Sequence, residues 1–177
     1  MELLTRTPWF PRKTGLRGCF YFKNRKTGVE YKLPNFVTDE GAQQLLKMIA
    51  QGAAIGEDSN WYVGLMGLTA TKALTLATIA GEPDSSGGYA RQLLNQNSTD
   101  WPTANLLQVN GIYRIRSATV TFSASGADFS TSIWRMFLCN DAAGTTGTLF
   151  AISSPLPAAK LIADSEDYDT AYELALN

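Results

Sequence analysis

The 177-residue chain contains no histidine. That removes Ser–His–Asp and Cys–His nucleophile systems, the HExxH zinc signature and imidazole acid–base catalysis. Cysteine is nearly as scarce: Cys19 and Cys139 stand far apart in sequence. Two such residues make no zinc framework, and Cys139 ends an apolar run, so buried thiols are expected, with a Cys19–Cys139 disulfide as the alternative. No GxxxxGK[ST] phosphate loop is present, and the glycines of Ser85–Tyr89 do not form GxGxxG. No run is long and apolar enough to span a bilayer, because the uncharged stretch Ala142–Ala159 is broken by glycine, proline and hydroxyl residues. The opening MELLTRTPWFPRK lacks the apolar stretch of a secretory signal. The expectation is a protein made in a cytoplasm, with no membrane partner.

The carboxylates are the remaining source of catalytic or metal chemistry. Asp164, Glu166, Asp167 and Asp169 crowd one stretch, but the spacing lacks the central glycine and terminal glutamate of an EF-hand loop. Nothing fixes two carboxylates across a cleft, as a glycosidase needs. No metal, no cofactor and no enzymatic activity are therefore expected.

Charge is low at 18% and hydrophobic content is 45%, the balance of a globular chain. The net charge of −1 hides a gradient. Residues 1–32 carry eight basic side chains against Glu2 and Glu30, while residues 128–177 carry seven acids against Arg135 and Lys160. Such polarity lets the front of one copy attract the back of another, or simply solvates two separate faces. The basic loop Lys23–Gly28 has no interleaved aromatic side chain, so nucleic acid is not an expected partner.

Residues 1–17 read as an extended basic arm, with Pro8 and Pro11 bracketing Trp9 and Phe10, an aromatic pair suited either to dock on a neighbouring copy or to fold back onto its own domain. Residues 18–177 read as one domain. It opens with a hairpin over 18–33, from two strand-like runs around KNRKTG. The pattern then predicts an amphipathic helix over 38–51. Thr38 is its cap, Asp39 and Glu40 its acidic first turn, Gly52 its stop, and Ala42, Leu45, Leu46 and Ile49 its core-facing stripe. Asn60–Gly67 reads as a buried strand and Thr69–Ala80 as strand and loop. Tyr89–Leu94 and Leu106–Val109 read as further strands. Tyr113–Phe122 reads as one long strand whose apolar parity switches midway, which a bulge or bend would reconcile. Ile133–Cys139 and Thr148–Ile152 flank the turn-rich Asn140–Gly147. In the closing Tyr168–Leu176 every second residue is apolar or threonine, the period of a strand with one buried face. Short strands spaced by glycine-rich turns predict a mainly β fold, an antiparallel β-sandwich of jelly-roll type with one N-terminal helix. Trp61, Tyr62, Tyr113 and Trp134 sit in apolar runs and are expected in the core. Trp101, beside Asp100 and Pro102 in a polar loop, is the aromatic expected at the surface, where it would contact a glycan.

Several of these segments together resemble small virion proteins of tailed bacteriophages, of the tail-fibre or minor structural type. The resemblance runs from NFVTDEGAQQLLKMI at 35–49 through WYVGL at 61–65, GGYAR at 87–91, Trp101, WRMFL at 134–138 and DAAGTTGTL at 141–149 to the final strand. It covers 35–177 and leaves out the basic arm. It implies a helix before a β-sandwich, copies assembled as trimers or rings, other virion proteins as partners, and no shared active site. The expected function is a non-enzymatic structural component of the tail, collar or fibre, made in the host cytoplasm and resident in the virion. A capsid decoration protein and a host-glycan-binding module are the alternatives. Docking is expected through Arg6, Trp9, Phe10, Arg12 and Arg17 of one copy against an acidic patch bearing Asp169 and Glu173 on the next.

Overall fold

A computed structural model describes residues 15–52 and 60–176. Strands β1 (Leu16–Asn24) and β2 (Glu30–Val37) form the opening hairpin. Its turn is fixed by the Asn24 side chain, which accepts from the Thr27 N–H at 2.8 Å, and by Gly28 at φ 72°. Helix α1 (Asp39–Gln51) follows, then β3 (Asn60–Met66), β4 (Gln92–Asn95), β5 (Leu106–Val109), β6 (Ile112–Arg116), β7 (Val120–Ser123), β8 (Arg135–Cys139), β9 (Leu149–Ser153) and β10 (Asp167–Leu176). The fold is mainly β: an antiparallel sheet of ten strands, ordered β4-β3-β8-β9-β2-β1-β10-β6-β5 with β7 beside β10, and one helix.

Two strands organise this sheet. β2 pairs with β1 as far as Pro34 and with β9 from Asn35 onward. The residue at the change of partner is a proline, which has no N–H to give to a ladder. β10 is the closing strand, paired along its whole length with β1, from Leu16↔Leu176 to Asn24↔Tyr168. Its other edge is shared: β7 pairs with residues 167–170 and β6 with residues 173–176. The predicted single strand over Tyr113–Phe122 is thus two strands. The parity switch falls at Ser117, whose N–H donates to the Tyr172 carbonyl and whose hydroxyl accepts from the Tyr172 N–H.

One hydrophobic cluster joins Phe20, Phe22, Phe122, Tyr168 and Tyr172 to Trp61, Val63, Leu65, Leu138 and Phe150. Ring pairs stitch it: Phe20–Tyr172 and Phe22–Tyr168 at 4.6 Å, and Trp61–Phe150 at 4.0 Å. Each such ring buried contributes roughly 1.5–3 kcal/mol. Thr69–Ala80 contains no strand; it is loop with a short 3-10 turn at Leu76–Thr78, which sends Leu76 fully into a second cluster with Phe137 and Leu149. Tyr113, expected in the core, is exposed.

The helix forms where predicted but turns a different face inward. Thr38 accepts from the Gly41 N–H at 3.0 Å and donates to the Leu149 carbonyl, and Gly52 stops the helix at φ 65°. Gly41 is buried against Phe150, and Leu45 and Met48 pack on the core. Of the predicted stripe only Leu45 faces inward; Ala42 is exposed, and Leu46 and Ile49 stand 67% and 83% exposed. Periodicity marked a broad apolar face. The close approach that only glycine permits chose which side of it is buried.

Candidate functional site: an apolar cavity and its uncovered ledge

Between α1 and the inner face of β1, β10 and β6 lies a cavity of about 300 Å³. Leu45 and Met48 of the helix form one wall, with Val37, Trp61, Leu138, Phe150 and Ala151 behind them. Leu16, Ile115, Tyr172 and Leu174 form the opposite wall, and Trp101 and Gln96 close one side. None of the described residues that line it is charged. A concave, mostly apolar space of this size is the usual form of a binding site.

The sheet runs on past this cavity. Leu16 pairs with Leu176, Leu176 with Tyr113, Leu174 with Ile115 and Ile115 with Leu106, so these side chains share the face that turns inward at Phe20 and Tyr172. Beyond the cavity none of the described residues buries that face: Leu106, Tyr113 and Leu176 are 49%, 55% and 62% exposed. The alternation of the closing strand is real at Tyr168, Thr170 and Tyr172, which are buried. It then continues onto this apolar ledge.

Trp101 is a wall of the cavity rather than an open surface. Its loop ties to itself through Asn97, which accepts from the N–H groups of Thr99 and Asp100 at 2.9 Å, and through Asp100, which accepts from Asn95. That turns the half-buried indole inward, edge-on to Tyr172 with ring centroids 6.4 Å apart, and leaves its N–H buried without a partner.

The docking residues are placed differently from one another. Arg6, Trp9, Phe10 and Arg12 lie outside the described residues, and Arg17 is exposed on β1. Asp169 accepts from Arg25 Nε at 2.7 Å and from the Thr121 hydroxyl at 2.9 Å. Glu173 accepts from the Tyr21 hydroxyl at 3.2 Å, with Arg116 and Arg114 at 3.6 and 3.8 Å. Arg116 in turn lies over the Tyr21 ring, 3.6 Å from its centroid. The charge gradient along the sequence therefore meets within the chain, because the basic first strand and the acidic last strand are neighbours. The other acids are also engaged: Asp164 accepts from the Gly126 N–H at 2.8 Å, Glu166 from the Ala163 N–H at 3.3 Å, and Asp167 lies 3.8 Å from Arg25. Among the described residues no three groups are arranged to hold a metal ion, and no helix is long and apolar enough to cross a membrane.

A second polar centre explains two of the motif segments. Arg91 is buried and forks onto Glu82 through Nε and Nη2, both at 2.8 Å. Its Nη1 donates to the carbonyls of Asp141 and Gly144 at 2.8 and 2.9 Å. The Tyr89 hydroxyl donates to Glu82 at 2.8 Å and accepts from the Leu65 N–H at 3.0 Å. Burial opposes charge on Arg91, but the bonds to Glu82 outweigh it and raise its affinity for the proton; burial also pushes the Tyr89 hydroxyl up. GGYAR and DAAGTTG are thus two loops held by one guanidinium. Its donors are nearly all spent on the fold, which leaves little to offer a substrate.

Neither cysteine is placed as a nucleophile. Both are free and buried. Burial pushes the Cys139 thiol from 9.0 to about 11, and burial likewise raises Cys19. Burial thus keeps Cys139 in the thiol form at neutral pH. Both should resist an aromatic disulfide reagent in the native protein and react at once after denaturation. Rapid native modification of either would contradict this burial.

No model of a known protein family matches the chain, and no curated protein sequence matches it. The sequence signals for the site were partial. Leu106–Val109 reads as a strand from sequence, whereas Leu16 falls within the expected basic arm. That Leu16 would line a cavity and Leu106 would lie exposed on the same face depends on strand order, which local pattern does not encode.

Proposed function

We propose that this is a non-enzymatic structural protein that works by assembling with copies of itself, as a component of the tail, collar or fibre region of a tailed-phage virion. The observation that carries the assembly reading is the edge strand β5. It is the last strand of the sheet, its four residues Leu106, Leu107, Gln108 and Val109 are all exposed, and none is charged. Exposed edges normally carry lysine, proline or a bulge that prevents pairing. This edge has none of these, and an antiparallel edge is self-complementary across a two-fold axis. The virion placement rests on the motif resemblance alone. For the architecture, we read the ten strands as two facing layers of a β-sandwich hinged at Pro34. The shared core and the packing of β4 beside β7 support that reading.

The test is the solution mass of Leu107→Lys/Val109→Lys. By light scattering or sedimentation the wild-type chain is expected to form oligomers. The variant, altered only at exposed positions, is expected to sediment as a monomer with an unchanged melting temperature. A monomeric wild type, or a variant that keeps the wild-type mass, would sink the β5 reading.

A further inference from the structure

We propose that the cavity and its ledge are the seat of the chain's own N-terminal segment, with the rings of Trp9 and Phe10 covering Leu16, Leu174 and the helix face at Leu45 and Met48. Three observations converge on that occupant. The described chain begins at Gly15, and the next residue, Leu16, is itself a wall of the cavity. The segment therefore enters the described fold at the rim of an apolar hollow lined by both sheet and helix. Phe10 is six residues from Leu16, so it reaches at most about 20 Å from that rim, enough to cross the ledge and no further.

The chemistry also matches. Apart from Gln96 the described residues that line the cavity are aliphatic or aromatic, and the segment offers two adjacent rings, each of which buries roughly 150–250 Å². Pro8 and Pro11 restrict the backbone around those rings, so less freedom is lost on docking than a glycine-rich segment would lose. Arg6, Arg12 and Lys13 flank the rings in sequence, and none of their charges has to enter the cavity. A tether this short holds the rings near the cavity at an effective concentration on the order of millimolar, which favours the chain's own segment over one from a separate molecule. This inference stands apart from the β5 edge reading, since the cavity is filled whether or not copies assemble.

The test is a disulfide in the full chain, Phe10→Cys with Met48→Cys, oxidised under native conditions at high dilution. The buried Cys19 and Cys139 are left in place. A cross-linked monomer on a non-reducing gel is expected, and none from the control pair Phe10→Cys with Thr27→Cys, whose second site lies at the far end of the hairpin. A cross-linked dimer would assign the seat to a second copy's segment and overturn the proposal; so would no cross-link at all. A second measurement uses Trp9→Ala/Phe10→Ala in the full chain with the apolar dye 1-anilinonaphthalene-8-sulfonate. Dye fluorescence is expected to rise several-fold over wild type as the cavity opens. Equal fluorescence would also overturn the assignment.

Discussion

Replacing Arg91 with alanine is expected to destabilise the protein by about 3–5 kcal/mol, because it leaves a partly buried carboxylate without its counter-charge. For a domain of this size that lowers the melting temperature by roughly 6–20 °C. The loss has three parts. Glu82 loses two charge-assisted bonds at 2.8 Å and keeps only the Tyr89 hydroxyl. The carbonyls of Asp141 and Gly144 lose the donor that holds the loop after β8. A void opens beside the Phe137 ring, over which the guanidinium lies with 5.2 Å between its carbon and the ring centroid. Adding Glu82→Gln to Arg91→Ala removes the uncompensated charge but not the orphaned carbonyls, so the double variant should recover part of the loss only. Chemical denaturation of the four proteins in the cycle measures this directly. A cost below about 1 kcal/mol for Arg91→Ala would mean that the two loops hold without their guanidinium.

That expectation turns on residues whose part in the sequence reading was limited to a motif. GGYAR and DAAGTTGTL were legible as fixed segments, yet nothing in either shows that one arginine joins them across 50 residues, the separation of Arg91 and Asp141. Local order was easier. Thr38, Asp39, Glu40 and Gly52 locate both ends of α1 because caps and the helix dipole act within a turn. The alternation from Tyr168 to Tyr172 locates β10 because a strand with one buried face repeats every two residues. What local pattern lacked was the pairing order. Once β1 and β10 are known to be neighbours, the contacts of Asp169 with Arg25 and of Glu173 with Tyr21 and Arg116 follow from the pairing. The same order leaves Leu106, Tyr113 and Leu176 uncovered, although each looks like a core residue in its own segment.

The helix supplies the sharper contest between local and tertiary rules. By propensity, Gly41→Ala in α1 should stabilise by about 1 kcal/mol, since alanine is the best helix former and glycine among the worst. We expect the opposite sign, a loss of about 1–3 kcal/mol, because the new methyl has nowhere to go. A Cβ at position 41 would lie 2.3 Å from the Phe150 carbonyl oxygen and 2.6 Å from the Phe150 Cα. Those atoms belong to β9, which is paired with β2 on one side and β8 on the other and cannot retreat. The helix must therefore lift. In lifting it strains the Thr38 contacts with Leu149 and the 2.8 Å bond from the Leu149 N–H to the Glu40 carboxylate. It also draws Leu45 and Met48 away from the cavity they line. The variant should thus show two linked changes, a lower denaturation midpoint and stronger binding of an apolar dye. Ile49→Ser, on the 83% exposed side of the same helix, should leave stability within about 0.5 kcal/mol of wild type. A stabilised Gly41→Ala protein would place α1 away from β9, and with it would go the wall that gives the cavity its shape.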